Sequence, residues 1–353
     1  MLAEGMSVLV RQKPSTRPCE GTPASSTSVT QAAEILRRGG LVAIPTETVY
    51  GLGADAANRA AVEKIFEVKG RPPGHPLIVH LASAEHIGAW ARGVPDEAWK
   101  LAEALWPGPL TLILKRAPRV LDVVTGGQDT IGLRVPGHPV AHALLVEFAG
   151  GIAAPSANRF GRISPTTAAH VIADLGDQVE MVLDAGPCPV GVESTILDLS
   201  EGVPRLLRPG SITAERISEI LGITCDVPVT GGPQVPGQLE SHYAPRTPLR
   251  LVDSSQLAAT ISKEVSAGHG VAVLAIGAQE QALLEGSTWF SMPADPESYA
   301  HDLYATLREL DRGRFRLILA EQPPDGPGWR AVRDRLSRAA APSVSSATAK
   351  PGD

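Results

Sequence analysis

Residues 58–73, NRAAVEKIFEVKGRPP, carry the pattern that decides the fold of the N-terminal half of the chain. Asn58 can cap a helix that runs to about Val68, because apolar residues recur there on one face and a glycine and two prolines follow. Apolar runs at 41–45 and 76–81 flank this helix and predict strands. The order strand, helix, strand predicts an α/β fold with helices packed on a sheet.

Working outward, helices and strands are mixed without strict alternation, which predicts a twisted mixed sheet and not a purely parallel one. The further helices predicted in this half are 28–38, 95–105, 138–148 and 166–175, and the further strands are 110–115, 130–135, 152–154, 181–184, 194–199 and 205–207. Later in the chain the alternation is more regular and predicts a smaller, Rossmann-like open α/β sheet. Its predicted strands are 249–252, 270–275 and 315–320, and its predicted helices are 254–267, 295–310 and 329–339.

Changes in composition divide the chain into five predicted segments. Residues 1–26 and 341–353 have the composition of disordered tails. Residues 27–222 form the first predicted domain, which the motifs below make the catalytic one, and residues 248–340 form the second. Between them, residues 223–247 are dense in proline and glycine and predict a linker.

The bulk composition limits the class of protein. A hydrophobic content of 43% over 353 residues can supply a core for two domains, and a net charge of −6 gives no broad basic surface for nucleic acid, although a local patch stays open. The three cysteines, Cys19, Cys188 and Cys225, show no disulfide or zinc spacing, which fits a reducing cytosol. Cys188 has no base beside it and is expected to be a bystander. We see no targeting segment or membrane span and expect a cytoplasmic protein.

Lys69 and Arg71 follow the predicted helix and precede a pair of prolines, so two cations project from a stiff loop. A guanidinium offers a planar fork of donors for phosphate oxygens, and an ammonium offers a mobile point charge. The alternative is a solvated pair at the C-terminus of a helix, where the helix dipole favours cations.

Two polar stretches follow the short predicted strand at 152–154. The hydroxyl and the amide of Ser156-Ala157-Asn158 could hydrogen-bond phosphate or ribose at the carboxyl end of that strand, or they could form an ordinary turn. Ser164-Pro165-Thr166 is predicted to be a helix N-cap, and the N-terminus of that helix could also receive an anion.

Other polar residues at strand ends suit a small amino acid. Thr46–Gly53 could line a compact pocket or form a polar loop. Arg134 could clamp a carboxylate or pair with a structural acid, and His80 could be a ligand or a core histidine. Glu193-Ser194-Thr195 opens one strand and Arg208 closes the next. The sequence contains neither a GxxxxGK[ST] phosphate loop nor a GxSxG nucleophile elbow.

These motifs, in this order, resemble the Sua5/YciO/YrdC family in its long Sua5 form. The resemblance covers Val29–Ile212 and continues through His242-Tyr243-Ala244-Pro245 to about Ala340. It implies a YrdC-like fold for the first domain and a nucleotidyltransferase activity. ATP, L-threonine and bicarbonate would give L-threonylcarbamoyl-adenylate and pyrophosphate, for the threonylcarbamoyl modification of adenosine 37 in tRNA.

The resemblance also implies which residues form the site. The positions that match ATP contacts are Lys69, Arg71, His75, Thr130, Ser156, Asn158, Ser164 and Arg208, with Tyr243 of the linker as a lid over the nucleotide. Lys69 and Arg71 are expected to be catalytic through charge neutralisation at phosphate. The positions that match threonine contacts are Thr48, His80, Arg134, Ala154 and Ser194, of which Ala154 could contribute only its backbone. Mg²⁺ is expected as a cofactor held by the phosphates of ATP. His75 stands where the family usually has asparagine, which makes that contact pH-sensitive.

The implied partners are the three small substrates and the transferase machinery that consumes the adenylate; a weak contact with tRNA stays open, and no membrane partner is expected.

The alternatives are two other classes of function. An RNA-binding module is disfavoured by the acidic net charge, because affinity for the phosphate backbone needs clustered cations. Carbamoyl transfer in hydrogenase maturation would need zinc-finger and acylphosphatase-like segments, which the sequence does not contain.

Overall fold

The structure is a computed structural model that describes residues 26–226, 232–239, 241–277 and 287–341. These residues fall into two compact units, the first of which ends at Leu239. The division lies inside the segment predicted as a linker, and the predicted domain bounds themselves stay predictions. Apart from Ser26 and Ala341, the predicted disordered tails lie outside the described residues.

The first unit contains nine strands and eight α-helices among its described residues. The helices are α1 (Ser26–Arg37), α2 (Arg59–Lys69), α3 (Ile87–Trp90), α4 (Asp96–Leu105), α5 (Asp122–Thr125), α6 (Pro139–Phe148), α7 (Ala168–Leu175) and α8 (Ala214–Leu221). The strands are β1 (Val42–Ile44), β2 (Gly51–Asp55), β3 (Ile78–His80), β4 (Leu110–Lys115), β5 (Thr130–Arg134), β6 (Ile152–Ala153), β7 (Met181–Val182), β8 (Thr195–Asp198) and β9 (Arg205–Arg208).

The nine strands form one sheet in the order β7-β1-β2-β6-β3-β5-β4-β8-β9. The pairs β1–β7, β3–β5 and β4–β8 are parallel, and the other neighbouring pairs are antiparallel. The predicted mixed sheet with packed helices is therefore confirmed.

Side chains alternate along each strand, so the sheet has two faces. One face packs on α2, α4, α7 and α8 in the main hydrophobic core, which includes Leu112, Ile131 and Leu133. The opposite face, called the second face below, is covered by α1 and α6 at its β1 end. Because Ile131 and Leu133 point into the main core, Thr130 and Arg134 of the same strand point to the second face.

Towards β4 and β8 the second face carries a small apolar cluster. Ile78, Ile113 and Ile196 come from three strands, and Val235 comes from residues 232–239. We call residues 232–239 the covering segment. They were predicted as part of the linker between the domains, and here they pack on the sheet, where they shield three isoleucines from water.

The capping signals read from the sequence are confirmed for α2. The Asn58 side chain accepts a hydrogen bond from the backbone N–H of Ala61, and Gly70 ends the helix with a φ of 61°. The signal for α7 was placed wrongly. Its N-cap is Thr167, whose hydroxyl accepts from the N–H of His170, and not the predicted Ser164-Pro165-Thr166.

Strand β2 was not predicted, because residues up to Gly53 were interpreted as a pocket lining or a polar loop. Its glycines serve close packing between strands. A Cβ on Gly53 would lie 2.5 Å from the side chain of Ile44, and a Cβ on Gly51 would lie 3.2 Å from that of Ala154. Glycine here marks the close approach of neighbouring strands, and it does not mark a turn.

Among its described residues, the second unit contains a parallel sheet of four strands in the order β10-β13-β11-β12, which is typical of an open α/β fold. Its elements are β10 (Leu249–Val252), α9 (Ser254–Ser266), β11 (Val271–Ile276), β12 (Ser287–Met292), α10 (Pro296–Arg312), β13 (Leu317–Glu321) and α11 (Arg330–Ala340). The smaller open sheet is confirmed, although β12 was not predicted. In the described part of the chain, no helix has both the length and the apolar character needed to cross a membrane.

Candidate active site

Lys69 ends α2 with its side chain buried against the loop that follows β6. Its Nζ donates to the carbonyl oxygens of Ser156 and, at 2.7 Å, of Asn158. Burial and, second, the charge of Arg71 hold the pKa of Lys69 well below its usual value. The acceptors of this buried ammonium are two neutral carbonyls, so an anionic ligand would stabilise its charge. Lys69 is buried, which excludes the alternative of a solvated lysine.

Arg71 follows Gly70 in the sequence, and its side chain is also buried. Its Nη2 donates to the carbonyl of Pro76 at 2.8 Å, and its guanidinium carbon lies 5.7 Å from the centre of the Phe160 ring. The ring of His75 lies 5.4 Å from the same phenyl ring. Burial, helped by Arg71, lowers the pKa of His75, so this histidine is neutral at pH 7. Phe160 was missed by the sequence analysis, although it stands two residues after Asn158.

Asn158 uses its side-chain donors to shape its own loop. Nδ2 donates to the carbonyls of Arg159 and Arg162, both at 2.8 Å. Its buried Oδ1 has no hydrogen-bond partner among the described residues. Of the two ligands predicted for this amide, ribose therefore fits better than phosphate, because a ribose hydroxyl can donate to Oδ1 and a phosphate oxygen cannot.

A second polar group forms around Arg134 at the end of β5. Nε of Arg134 donates to the carbonyl of Gly108 at 3.1 Å, and Nη1 donates to Oγ1 of Thr48 at 3.0 Å. Oε1 of Glu47 lies 2.7 Å from Nη2. Oγ1 of Thr46 lies 2.8 Å from that of Thr48 and accepts from two backbone N–H groups of the loop. The loop after β1 thus grips the guanidinium, and the guanidinium is fixed in place.

Electrostatics in this group leave one charge pair and one neutral ring. Burial raises the pKa of Glu47, but the charge and proximity of Arg134 outweigh it, so the pKa lies below its ordinary value and the carboxylate is ionised. His80 lies opposite Arg134 in the β3–β5 register. Burial and, second, the charge of Arg134 lower the pKa of His80 to about 3, so its imidazole is neutral at pH 7.

A third polar group joins β9 to the start of β8. Arg208 donates from Nε to the carbonyl of Ser194 and from Nη2 to its hydroxyl, both at 3.0 Å. The Ser194 hydroxyl lies 2.8 Å from that of Thr111. Nη1 of Arg208 donates to the carbonyl of Pro236 at 3.1 Å. A predicted ATP contact, Arg208, and a predicted threonine contact, Ser194, are therefore in direct contact, beneath the covering segment.

The covering segment is also fixed at a second point. Nε2 of Gln128 donates to the carbonyl of Gln234 at 3.0 Å, and the N–H of Gln234 donates to Oε1 of Gln128 at 2.8 Å. The side-chain amide of Gln128 thus pairs with the backbone of Gln234 in the way that an adjacent β-strand would. Both glutamines were missed, because the pairing joins residues that are distant in the sequence.

The loop after β1 connects these groups. Gly51 forms a β-bridge with Ser156, and the N–H of Ala157 donates to the carbonyl of Tyr50 at 2.8 Å. The N–H of Tyr50 donates to the carbonyl of Pro165 at 2.9 Å. The loop that holds Arg134 is therefore joined to the loop that holds Lys69, which brings cations from distant parts of the sequence into one region of the first unit.

Three further predicted residues of the first unit are Ala154, Thr130 and Ser164. The backbone N–H of Ala154 donates to the carbonyl of Ile78. Of the backbone groups of Ala154, the carbonyl is therefore the one that could contact a ligand. Thr130 is half-buried at the start of β5. Ser164 is buried, and its hydroxyl donates to Oε1 of Glu193 at 2.6 Å. Glu193 was assigned no role, although it directly precedes Ser194.

Tyr243 lies in the second unit and was predicted to cover the nucleotide. It is 1% exposed, and its ring lies 4.1 Å from that of His242 and 5.7 Å from that of Tyr304. The guanidinium of Arg335 lies 5.2 Å from the same ring, and the φ of Tyr243 is 60°, which non-glycine residues seldom adopt. The structure thus anchors Tyr243 in a core; its contact with a nucleotide stays a prediction.

Known proteins match both units. The Sua5/YciO/YrdC family model, described as "Telomere recombination", matches residues 34–210, and a model described as "Threonylcarbamoyl-AMP synthase, C-terminal domain" matches residues 212–341. The threonylcarbamoyl-AMP synthase of Pyrococcus abyssi is 40% identical over 87% of this chain and 92% of its own length. That of Bacillus subtilis is 41% identical over 88% and 92%.

The chain belongs to the Sua5/YciO/YrdC family. A crystal structure of P. abyssi Sua5 in complex with L-threonine resembles this structure with a TM-score of 0.84 and 38% identity, over 90% of this chain and 95% of the archaeal one. Membership in the Sua5/YciO/YrdC family thus extends across both units, as the resemblance in the sequence implied. Burial raises the pKa of the Cys188 thiol, which agrees with its interpretation as a bystander in this family member.

Proposed function

We propose that this Sua5/YciO/YrdC member forms L-threonylcarbamoyl-AMP and pyrophosphate from ATP, L-threonine and bicarbonate. One observation carries the proposal: two different binding chemistries adjoin within the first unit. The buried cations Lys69 and Arg71 suit a polyphosphate, and the buried guanidinium of Arg134 suits the carboxylate of an amino acid. The similarity to threonylcarbamoyl-AMP synthases over nearly their whole length supports it.

The reaction needs positioning and charge neutralisation more than covalent help from the protein. The threonine amine takes up the carbon of bicarbonate with loss of water and becomes a carbamate. A carbamate oxygen then attacks the α-phosphorus, the bond to the bridging oxygen of the β-phosphate breaks, and pyrophosphate leaves with that electron pair. Lys69, Arg71 and Arg208 would neutralise charge on the phosphates as it moves to the leaving group. Held in one site, the reactants gain the advantage of proximity.

The amino-acid side of the site uses other residues. Arg134 would bind the α-carboxylate of threonine, since a guanidinium matches two carboxylate oxygens. The hydroxyls of Thr48 and Ser194, the neutral imidazole of His80 and the carbonyl of Ala154 are the polar groups available for the amine and the side-chain hydroxyl.

Mg²⁺ enters this proposal with ATP, coordinated by phosphate oxygens. Among the described residues, no group of three or more His, Cys, Asp or Glu side chains is arranged to hold a metal ion. In the proposed reaction the phosphates of ATP, which Lys69 and Arg71 would bind, would also hold the ion. We further propose that the product passes to the tRNA-modifying transferase in the cytoplasm and that a weak contact with tRNA accompanies this transfer.

The test is synthesis by the purified full chain from ATP, L-threonine and bicarbonate, with each substrate omitted in turn. We expect a product with the mass of the adenylate and an equal amount of pyrophosphate only when all three are present. Pyrophosphate release that does not depend on threonine would contradict the proposal. A salt titration of RNA binding, run alongside, would favour an RNA-binding module if binding were strong and no adenylate formed.

A further inference from the structure

We infer that Glu47 is a positioning residue, which holds the guanidinium of Arg134 so that its Nη2 end faces the substrate carboxylate. The inference rests on the proposed function, in which Arg134 binds the carboxylate of threonine. The sequence pointed to Arg134 as a clamp, but it gave Glu47 no part beyond lining a polar loop. Glu47 and Arg134 are distant in the chain, and only the fold shows that they meet.

The contacts around Arg134 show which end of the side chain needs support. Gly108 and Thr48 hold Nε and Nη1 with aligned hydrogen bonds at 3.1 and 3.0 Å. Oε1 of Glu47 lies 2.7 Å from Nη2, but the contact is not aligned as a hydrogen bond. Nη2 has no aligned hydrogen-bond partner among the described residues. Glu47 therefore balances the charge of Arg134 at its Nη2 end, while Gly108 and Thr48 hold the other two nitrogens.

Burial makes this support necessary. Arg134 is 4% exposed and Glu47 is 9% exposed. Glu47 is the carboxylate that the structure places beside this guanidinium, and the facing His80 is neutral. A buried cation that loses its counter-charge is strongly disfavoured, so without Glu47 the guanidinium would turn toward other acceptors or toward water. Either change removes Nη2 from the place where it meets the carboxylate.

A competing role for Glu47 is direct contact with the α-ammonium of threonine. The two roles differ in what they predict for a ligand that has the carboxylate but no amine. A residue that acts through Arg134 affects every ligand that Arg134 holds. A residue that touches the ammonium affects only ligands that carry one.

The experiment measures the affinity of the full chain for L-threonine and for 2,3-dihydroxybutanoate, in which a hydroxyl replaces the ammonium. Glu47→Gln should weaken both ligands by the same factor, about ten-fold or more, as expected for the loss of one charge-assisted contact. The kcat at saturating threonine should change little, because the phosphate cations are untouched. Glu180→Gln is the matched control: Glu180 accepts from the N–H of Leu41, away from Arg134, and its change should leave both affinities as they were.

A double-mutant cycle tests whether Glu47 acts through Arg134. In an Arg134→Ala background, Glu47→Gln should cause no further loss for either ligand. If Glu47→Gln prevents folding, Glu47→Asp is the second variant. It keeps the charge, but it is one methylene too short for the contact with Nη2, so it should also weaken both ligands equally.

Each other outcome overturns the inference. A loss for threonine alone would show that Glu47 touches the ammonium. Tighter binding of both ligands would show that Glu47 competes with the carboxylate. Additive losses in the Arg134→Ala background would show that Glu47 acts without Arg134. An unchanged threonine affinity in Arg134→Ala itself would refute the amino-acid site of the proposed function, and the positioning role with it.

Discussion

The buried neutral state of His80 predicts a loss of stability in mild acid. His80 is 4% exposed and lies opposite Arg134, and these surroundings lower its pKa from 6.5 to about 3. In the unfolded chain the imidazole takes up a proton near pH 6.5, whereas in the folded chain it stays neutral down to about pH 3. Between these values the unfolded state binds more protons, so the free energy of unfolding falls as the pH falls.

The size of the effect follows from the two pKa values. A pH of about 5 lies roughly 1.5 units below the unfolded pKa, and each unit corresponds to about 1.36 kcal/mol. Protonation of His80 in the unfolded chain should therefore lower the free energy of unfolding by about 2 kcal/mol between about pH 8 and about pH 5. The loss depends almost entirely on the unfolded pKa, because the folded pKa is about two units below the lower pH.

The assay is urea unfolding at a series of pH values for the wild-type chain and for His80→Gln. Burial also lowers the pKa values of His75 and His138, so the wild-type curve alone would mix three histidines. The difference between the two curves isolates His80, since glutamine does not titrate. We expect the stability of wild type relative to His80→Gln to fall by about 2 kcal/mol from about pH 8 to about pH 5. A difference that does not change with pH would show that His80 is not held neutral in the folded chain, and would refute the reasoning.

Three further predictions concern other parts of the first unit. Lys69→Met should lower the rate of adenylate formation by about 10²–10³-fold, because a buried charge at the phosphates is lost; near-normal turnover in a variant with a wild-type circular dichroism spectrum would contradict its role. Asn58→Ala should lower the free energy of unfolding in urea by about 1 kcal/mol with little change in turnover, because only the α2 cap is removed; an unchanged stability would show that the cap contributes nothing. Gln128→Ala should speed amide hydrogen exchange in the covering segment, because both hydrogen bonds to Gln234 are lost; equal exchange in both proteins would show that Gln128 does not hold the segment.

Local signals in the sequence predicted most of the fold. The bounds of β4 and β10 were read correctly, because mostly apolar runs begin there directly after a proline. The cap at Asn58 was also correct, since capping involves residues within one turn. Strand β2 was missed because glycine permits both turns and close strand packing, and the sequence alone does not distinguish the two.

The candidate site was predictable only in part. Strand-end polar residues such as Arg134 were identified, and the structure brings those of the first unit together. Their partners were not identified, because Glu47, Phe160 and Gln128 acquire a role only through contacts between distant parts of the chain. The covering segment was predicted as a linker because it is rich in proline and glycine, and its single valine, which packs on the sheet, gives no periodic apolar pattern.

The covering segment has an energetic consequence for the entry and release of ligands. Val235 shields Ile78, Ile113 and Ile196 from water. Moving the segment away would expose these apolar side chains and would also break the hydrogen bond from Arg208 to the carbonyl of Pro236. Such a movement would cost free energy, and the binding of a ligand would have to offset this cost. If the adenylate of the proposed function forms beneath this segment, the segment would shield its mixed anhydride from hydrolysis.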